Sequence, residues 1–122
     1  SCGSEDVVSQ VISPSTTVRV FATGQTQINS TGGDVALSVA IVSGSSVLGE
    51  VTMGDAIAAP TTATPMLVSG VLLNTSTPPV PLELPPGTYD IRFRMAKTTG
   101  CPGSTLTATR PMLSVVTLGT TP

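Results

Sequence analysis

From Tyr89 to Met95 the chain alternates strictly, with Tyr89, Ile91, Phe93 and Met95 on one side and Asp90, Arg92 and Arg94 on the other. A period of two belongs to a strand with one buried and one solvated face, whereas a helix would scatter these residues around its circumference. Pro85-Pro86-Gly87 ahead of it is turn chemistry: proline presets φ and glycine supplies the positive φ of many tight turns. This segment is the predicted core strand.

The same period recurs along the chain. Residues 16–23, TTVRVFAT, set Val18 and Val20 opposite Arg19 and Phe21. In residues 35–42, VALSVAIV, Val35, Leu37, Val39 and Ile41 form one face. The opposite face (Ala36, Ser38, Ala40, Val42) is small and half apolar, suited to packing on another chain or sheet. Ser43-Gly44-Ser45-Ser46 then reads as a hairpin leading into a strand over 47–53. MLVSGVLLN, residues 66–74, reads as a strand with a bulge or bend at Ser69-Gly70, and MLSVVTLG, 112–119, as the terminal strand. Residues 24–34 read mostly as connection with a short strand near Gln25 to Ile28, and residues 54–65 as loop. Five prolines in residues 75–87 predict an extended connection, because proline cannot donate to a ladder. The first fifteen residues carry Val7, Val8, Val11 and Ile12 after a polar start, which reads as a short helix or an arm that docks on a neighbour. The expectation is an all-β chain: an N-terminal arm over 1–15 and a single jelly-roll-like β-sandwich of seven or eight antiparallel strands over 16–122.

Composition sharpens this picture. Of the 122 residues 39% are hydrophobic and only 10% charged, and Ser, Thr, Gly and Pro fill the gap. Charged residues average about a quarter of a globular domain, so this surface is polar mainly through hydroxyls. The five cations, Arg19, Arg92, Arg94, Lys97 and Arg110, form no basic stripe, and the net charge is −2. Nucleic acid is therefore not an expected partner. No apolar run has the length of a membrane-spanning helix, and no membrane partner is expected.

Candidate chemistry is sparse. Without histidine there is no Ser-His-Asp triad, Cys-His pair or His-ligated metal. The acids Glu5, Asp6, Asp34, Glu50, Asp55, Glu83 and Asp90 show no calcium-loop spacing, and a glycosidase would need aromatic walls that one Tyr and no Trp do not supply. There is no phosphate-cradling glycine loop. The expectation is a non-enzymatic protein with no cofactor. Tyr89 reads either as a ring capping the core with its hydroxyl on a backbone group or as a contact in a binding pocket. Asn29 and Asn74 head N-x-S/T sequons that a Ser/Thr-rich chain produces by chance.

Cys2 and Cys101 leave two readings open. A disulfide between them would close a loop of about 100 residues and restrain the unfolded chain by a few kcal/mol. Two free thiols are the usual state in a reducing cytoplasm. Ser1 fits trimming of an initiator methionine, and Cys2 faintly resembles the cleavage region of a bacterial lipoprotein.

Small and hydroxylated strand faces, with apolar residues in surplus over charged ones, suit a chain that buries surface against copies of itself. The segments VRVFATGQTQI, GGDVALSVAIVSGSSVLG, LPPGTYDIRFRM and TLTATRPMLSVVTLG resemble small β-sandwich modules of virion surfaces. These are the jelly-roll capsid decoration (cement) proteins and the head-fibre or tail-fibre domains of tailed bacteriophages. The PGTY-x-I-x-F strand followed by LSVVTLG is also similar to the trimeric tumour-necrosis-factor/C1q-like jelly roll. The resemblance implies a virion structural protein made in the host cytoplasm. It would bind the major capsid protein or neighbouring virion subunits, assemble as a homo-oligomer (a trimer), and reach the shell with its N-terminal arm. The alternatives it leaves are a receptor-binding or adhesin domain acting through loops 54–65 and 98–104, and an extracellular or lipid-anchored bacterial sandwich domain.

Overall fold

The computed structural model describes residues 4–53, 56–99 and 106–120. Among the described residues nine strands succeed one another: β1 (Ser4–Ile12), β2 (Val18–Ser30), β3 (Asp34–Ser43), β4 (Ser46–Thr52), β5 (Ile57–Ala58), β6 (Thr64–Val71), β7 (Leu73–Asn74), β8 (Tyr89–Lys97) and β9 (Leu106–Gly119). One antiparallel sheet has the order β1-β8-β3-β4-β7, with β5 added on β3; the other has the order β6-β2-β9. They pack face to face as a β-sandwich. The inward residues of β2, β3 and β8 fill the space between them, and Val18, Val20, Leu37, Val39, Ile41, Ile91 and Phe93 are all buried.

Tyr89, Ile91, Phe93 and Met95 lie on the inner face of β8, all buried. The Tyr89 hydroxyl donates to Pro85 O at 2.6 Å. A tyrosine at the start of a strand that ties back to the backbone of the preceding turn is the tyrosine corner of many β-sandwiches. The proline-rich connection bends at residues 75–78 and then bridges the two sheets, Pro81 pairing with Leu73 and Leu84 with Val18. Val18 and Leu84 exchange backbone bonds (3.0 and 2.8 Å), and Leu82 N donates to Leu72 O at 2.9 Å. Leu72 and Leu84 are thereby sealed into the core.

Four local expectations change. Residues 4–12 are not a helix but an edge strand of the sandwich, paired along its length with β8, from Ser4↔Ala96 to Ile12↔Tyr89. A register shift between Asp6 and Val8 breaks the alternation there. Val7, Val8 and Ile12 are consequently half-buried against the core, and Val11 faces solvent. Secondly, β2 continues without interruption to Ser30, through the segment read as connection. Its inward positions there are Gly24, Thr26, Ile28 and Ser30, small or polar apart from Ile28. Gly24 is required by packing, since a Cβ on it would stand 2.6 Å from Phe93 Cδ1. Thirdly, of the bulge or bend expected at Ser69-Gly70 the bulge is absent, since β6 pairs with β2 in unbroken register from Val71 to Thr64; the strand read over 66–74 instead divides after Val71, and β7 joins β4 in the other sheet. Gly70 is there for another reason, with φ at 156° and the place of a Cβ only 3.0 Å from Val51 Cγ2 on the facing sheet. Finally, the segment read as loop contains β5 and the first residues of β6.

Candidate interaction surface

The two outer faces of the sandwich differ in chemistry. On the larger sheet the β1–β8 register places Asp6 opposite Arg94 and Ser9 opposite Arg92. Asp6 therefore meets both arginines: Arg94 Nε donates to Asp6 Oδ1 at 2.9 Å, and Arg92 Nη1 lies 3.5 Å from Asp6 Oδ2. Arg92 Nη2 also pairs with Asp90 Oδ2 at 2.9 Å. The small face of β3 lies in this same layer, where Ser38 is flanked by Arg94 and Ala40 by Arg92 and Glu50. This face is ion-paired at its surface, and in the β3 row beneath those side chains Ala40 and Val42 are buried.

The outer face of β6-β2-β9 is built from cross-strand rungs without that ionic cover. Val71, Phe21 and Val116 form one rung; Ser69, Thr23 and Ser114 the next; Leu67, Gln25 and Met112 the third. Arg19 with Leu118 lies beyond the first, and Pro65, Gln27 and Thr109 beyond the third. Leu67 and Met112 are each 60% exposed, Val116 52%, Leu118 45% and Phe21 37%. Thr23 and Ser69 share a hydroxyl–hydroxyl hydrogen bond of 2.9 Å in the middle rung. The charges stay at the ends: Arg19 lies 3.7 Å from Glu83, and Arg110 occupies the bulge opposite Thr26 with φ at 52°. The bulge is held by Thr26, whose buried hydroxyl donates to Thr109 O at 2.9 Å.

The surface clefts bring little chemistry together. Glu50 is the ionisable lining group of the cleft between β4 and the Asn74 turn, and Glu5 and Asp6 line the one between β1 and β9. Among the described residues, no group of three or more His, Cys, Asp or Glu could hold a metal ion, and every buried side-chain nitrogen or oxygen has a partner. The Asn74 side-chain oxygen accepts from Ser76 N, Ser76 Oγ and Val80 N at 3.2, 2.7 and 3.1 Å, so this sequon asparagine organises its own turn.

Of the residues singled out in the sequence, Tyr89, Ile91, Phe93 and Met95 serve the core, and Val7, Val8 and Ile12 of β1 pack half-buried against it. Cys2 and Cys101 lie outside the described residues, as do parts of the loops 54–65 and 98–104. Sequence reading did not assemble the apolar outer face, although Phe21 and the non-core positions of MLSVVTLG were its trace. Comparison with protein-family models, with curated proteins and with solved structures finds no match.

Proposed function

We propose that the chain is a non-enzymatic structural protein of a virion surface, of the capsid-decoration kind. The supporting observation is the division of the sandwich into an ion-paired face and a nearly uncharged apolar and hydroxyl face. A module of this kind contributes contact area rather than chemistry. Apolar surface that costs little to desolvate is buried against neighbouring subunits, and weak contacts gain strength because they repeat over many equivalent positions of a shell. The resemblance of the four quoted segments to virion β-sandwich modules points to the shell as the setting.

The test is co-sedimentation of the purified chain with mature capsids encoded by the same genome, followed by heating of decorated and bare particles. Saturable binding at a fixed copy number per shell, with DNA released at a higher temperature, is the expected result. Failure to bind these capsids at micromolar concentration overturns the reading.

A further inference from the structure

The outer face of β6-β2-β9 has an internal symmetry that selects its partner. Its middle rung, Ser69-Thr23-Ser114, is hydroxylated across all three strands. The flanking rungs are both apolar on their outer strands, Val71 and Val116 on one side and Leu67 and Met112 on the other. A half-turn about an axis lying along the middle rung exchanges the two apolar rungs. We infer that this face binds a second copy of the chain, face to face, about a twofold axis along the Ser69-Thr23-Ser114 rung.

In this arrangement Val71 meets the partner's Leu67, Val116 meets the partner's Met112, and Phe21 covers the partner's Gln25. Hydroxyls meet hydroxyls on the axis, where each can donate or accept. The three central rungs hold no ionisable residue, and Arg19 and Arg110, both exposed, lie at the two margins of the contact, where they stay in reach of water. Within these rungs a charged ligand finds no ion-pair partner, Arg110 standing only at the margin beside Gln25 and Met112, whereas a twofold, isologous contact requires only that the patch match itself.

The area is sufficient. Eleven β2 positions, from Arg19 to Asn29, span about 36 Å, and three strands about 14 Å, giving roughly 500 Å² in projection. Two copies bury on the order of 1,000 Å², the size of weak and transient interfaces, so a weak, concentration-dependent dimer is expected. Pairing here makes the apolar face the contact between neighbouring copies and leaves the ion-paired face and both ends of the sandwich for any other partner. It does not depend on the virion reading, because a dimer in solution requires no shell.

The experiment is sedimentation equilibrium of the whole chain from about 1 µM to about 1 mM, with three samples compared. Wild type should rise from the 12.2 kDa monomer mass towards twice that value. Met112→Lys and Val116→Glu each bury a charge against an apolar residue. Each should weaken association on the order of hundredfold while leaving the circular dichroism spectrum unchanged. In a one-to-one mixture the new lysine of one chain faces the new glutamate of the other, and the dimer should return. A wild type that stays monomeric at about 1 mM overturns the inference. So does association that both variants retain, or a mixture that behaves like its components. Failure of capsid binding with the dimer intact would count against the decoration reading alone.

Discussion

Alanine at position 24 would drive a methyl group into the largest fully buried side chain of the core. The added Cβ would lie 2.6, 2.7 and 2.8 Å from Cδ1, Cγ and Cε1 of Phe93, which is fully buried. Carbon atoms settle about 3.5–4 Å apart, so ring and strand must separate by about 1 Å inside a close-packed interior. Overpacking of this size costs about 1–3 kcal/mol. Alanine also restricts the unfolded chain relative to glycine, which returns about 0.4–1 kcal/mol. The net expectation for Gly24→Ala is a destabilisation of about 1–2 kcal/mol. Urea unfolding, followed by far-ultraviolet circular dichroism and the fluorescence of Tyr89, should show a lower midpoint with an unchanged slope. Gly119 has nothing within 4 Å of its absent Cβ, and Gly119→Ala should stay within about 0.5 kcal/mol of wild type. Phe93→Leu opens room beside the new methyl, so the double variant Gly24→Ala/Phe93→Leu should lose less stability than the sum of the single changes, by at least about 0.5 kcal/mol. An unchanged midpoint for Gly24→Ala, or strict additivity in the pair, would refute the steric argument.

Three further changes test other contacts. Tyr89→Phe removes the 2.6 Å bond to Pro85 O while keeping the ring, and should cost about 1 kcal/mol in the same urea assay. Asn74→Ala leaves the Ser76 and Val80 amides without their acceptor, and hydrogen exchange at those two positions should accelerate while the core strands β3 and β8 stay protected. Asp6→Asn unbalances Arg92 and Arg94 on a solvated face; the loss should stay below about 1 kcal/mol and disappear near 1 M salt.

The strands most legible in the sequence were those whose inward side chains are large. In β3 and β8 every second residue is Val, Leu, Ile, Phe, Met or Tyr until the strand ends, and period two is unmistakable. The second half of β2 hid itself because its inward positions answer to individual partners. Gly24 makes way for Phe93, Thr26 bonds Thr109 O, and Ser30 accepts from Lys97 Nζ at 2.8 Å. Propensity counts such residues as loop formers, and tertiary context overrides it. In β1 the register shift between Asp6 and Val8 leaves both Val7 and Val8 half-buried, and the sequence spacing of Val7, Val8, Val11 and Ile12 reads as helical although the backbone is extended. The apolar face was least legible, since it belongs to no single strand. Leu67, Phe21 and Met112 come together only through the register of three segments distant in sequence.

The placement of β1 and β9 has a mechanical consequence. Both run from the end of the sandwich near Ser30 and Lys97 towards the end near Val18 and Tyr89, so Ser4 and Gly119 stand at opposite poles. A pull between those poles is directed along the strands. It would load the β1–β8 and β2–β9 ladders in shear, with the hydrogen bonds of each ladder sharing the force, instead of opening them one at a time from an end. Resistance to stretching along this axis is therefore set by whole ladders, and rupture by the rate of crossing one cooperative barrier.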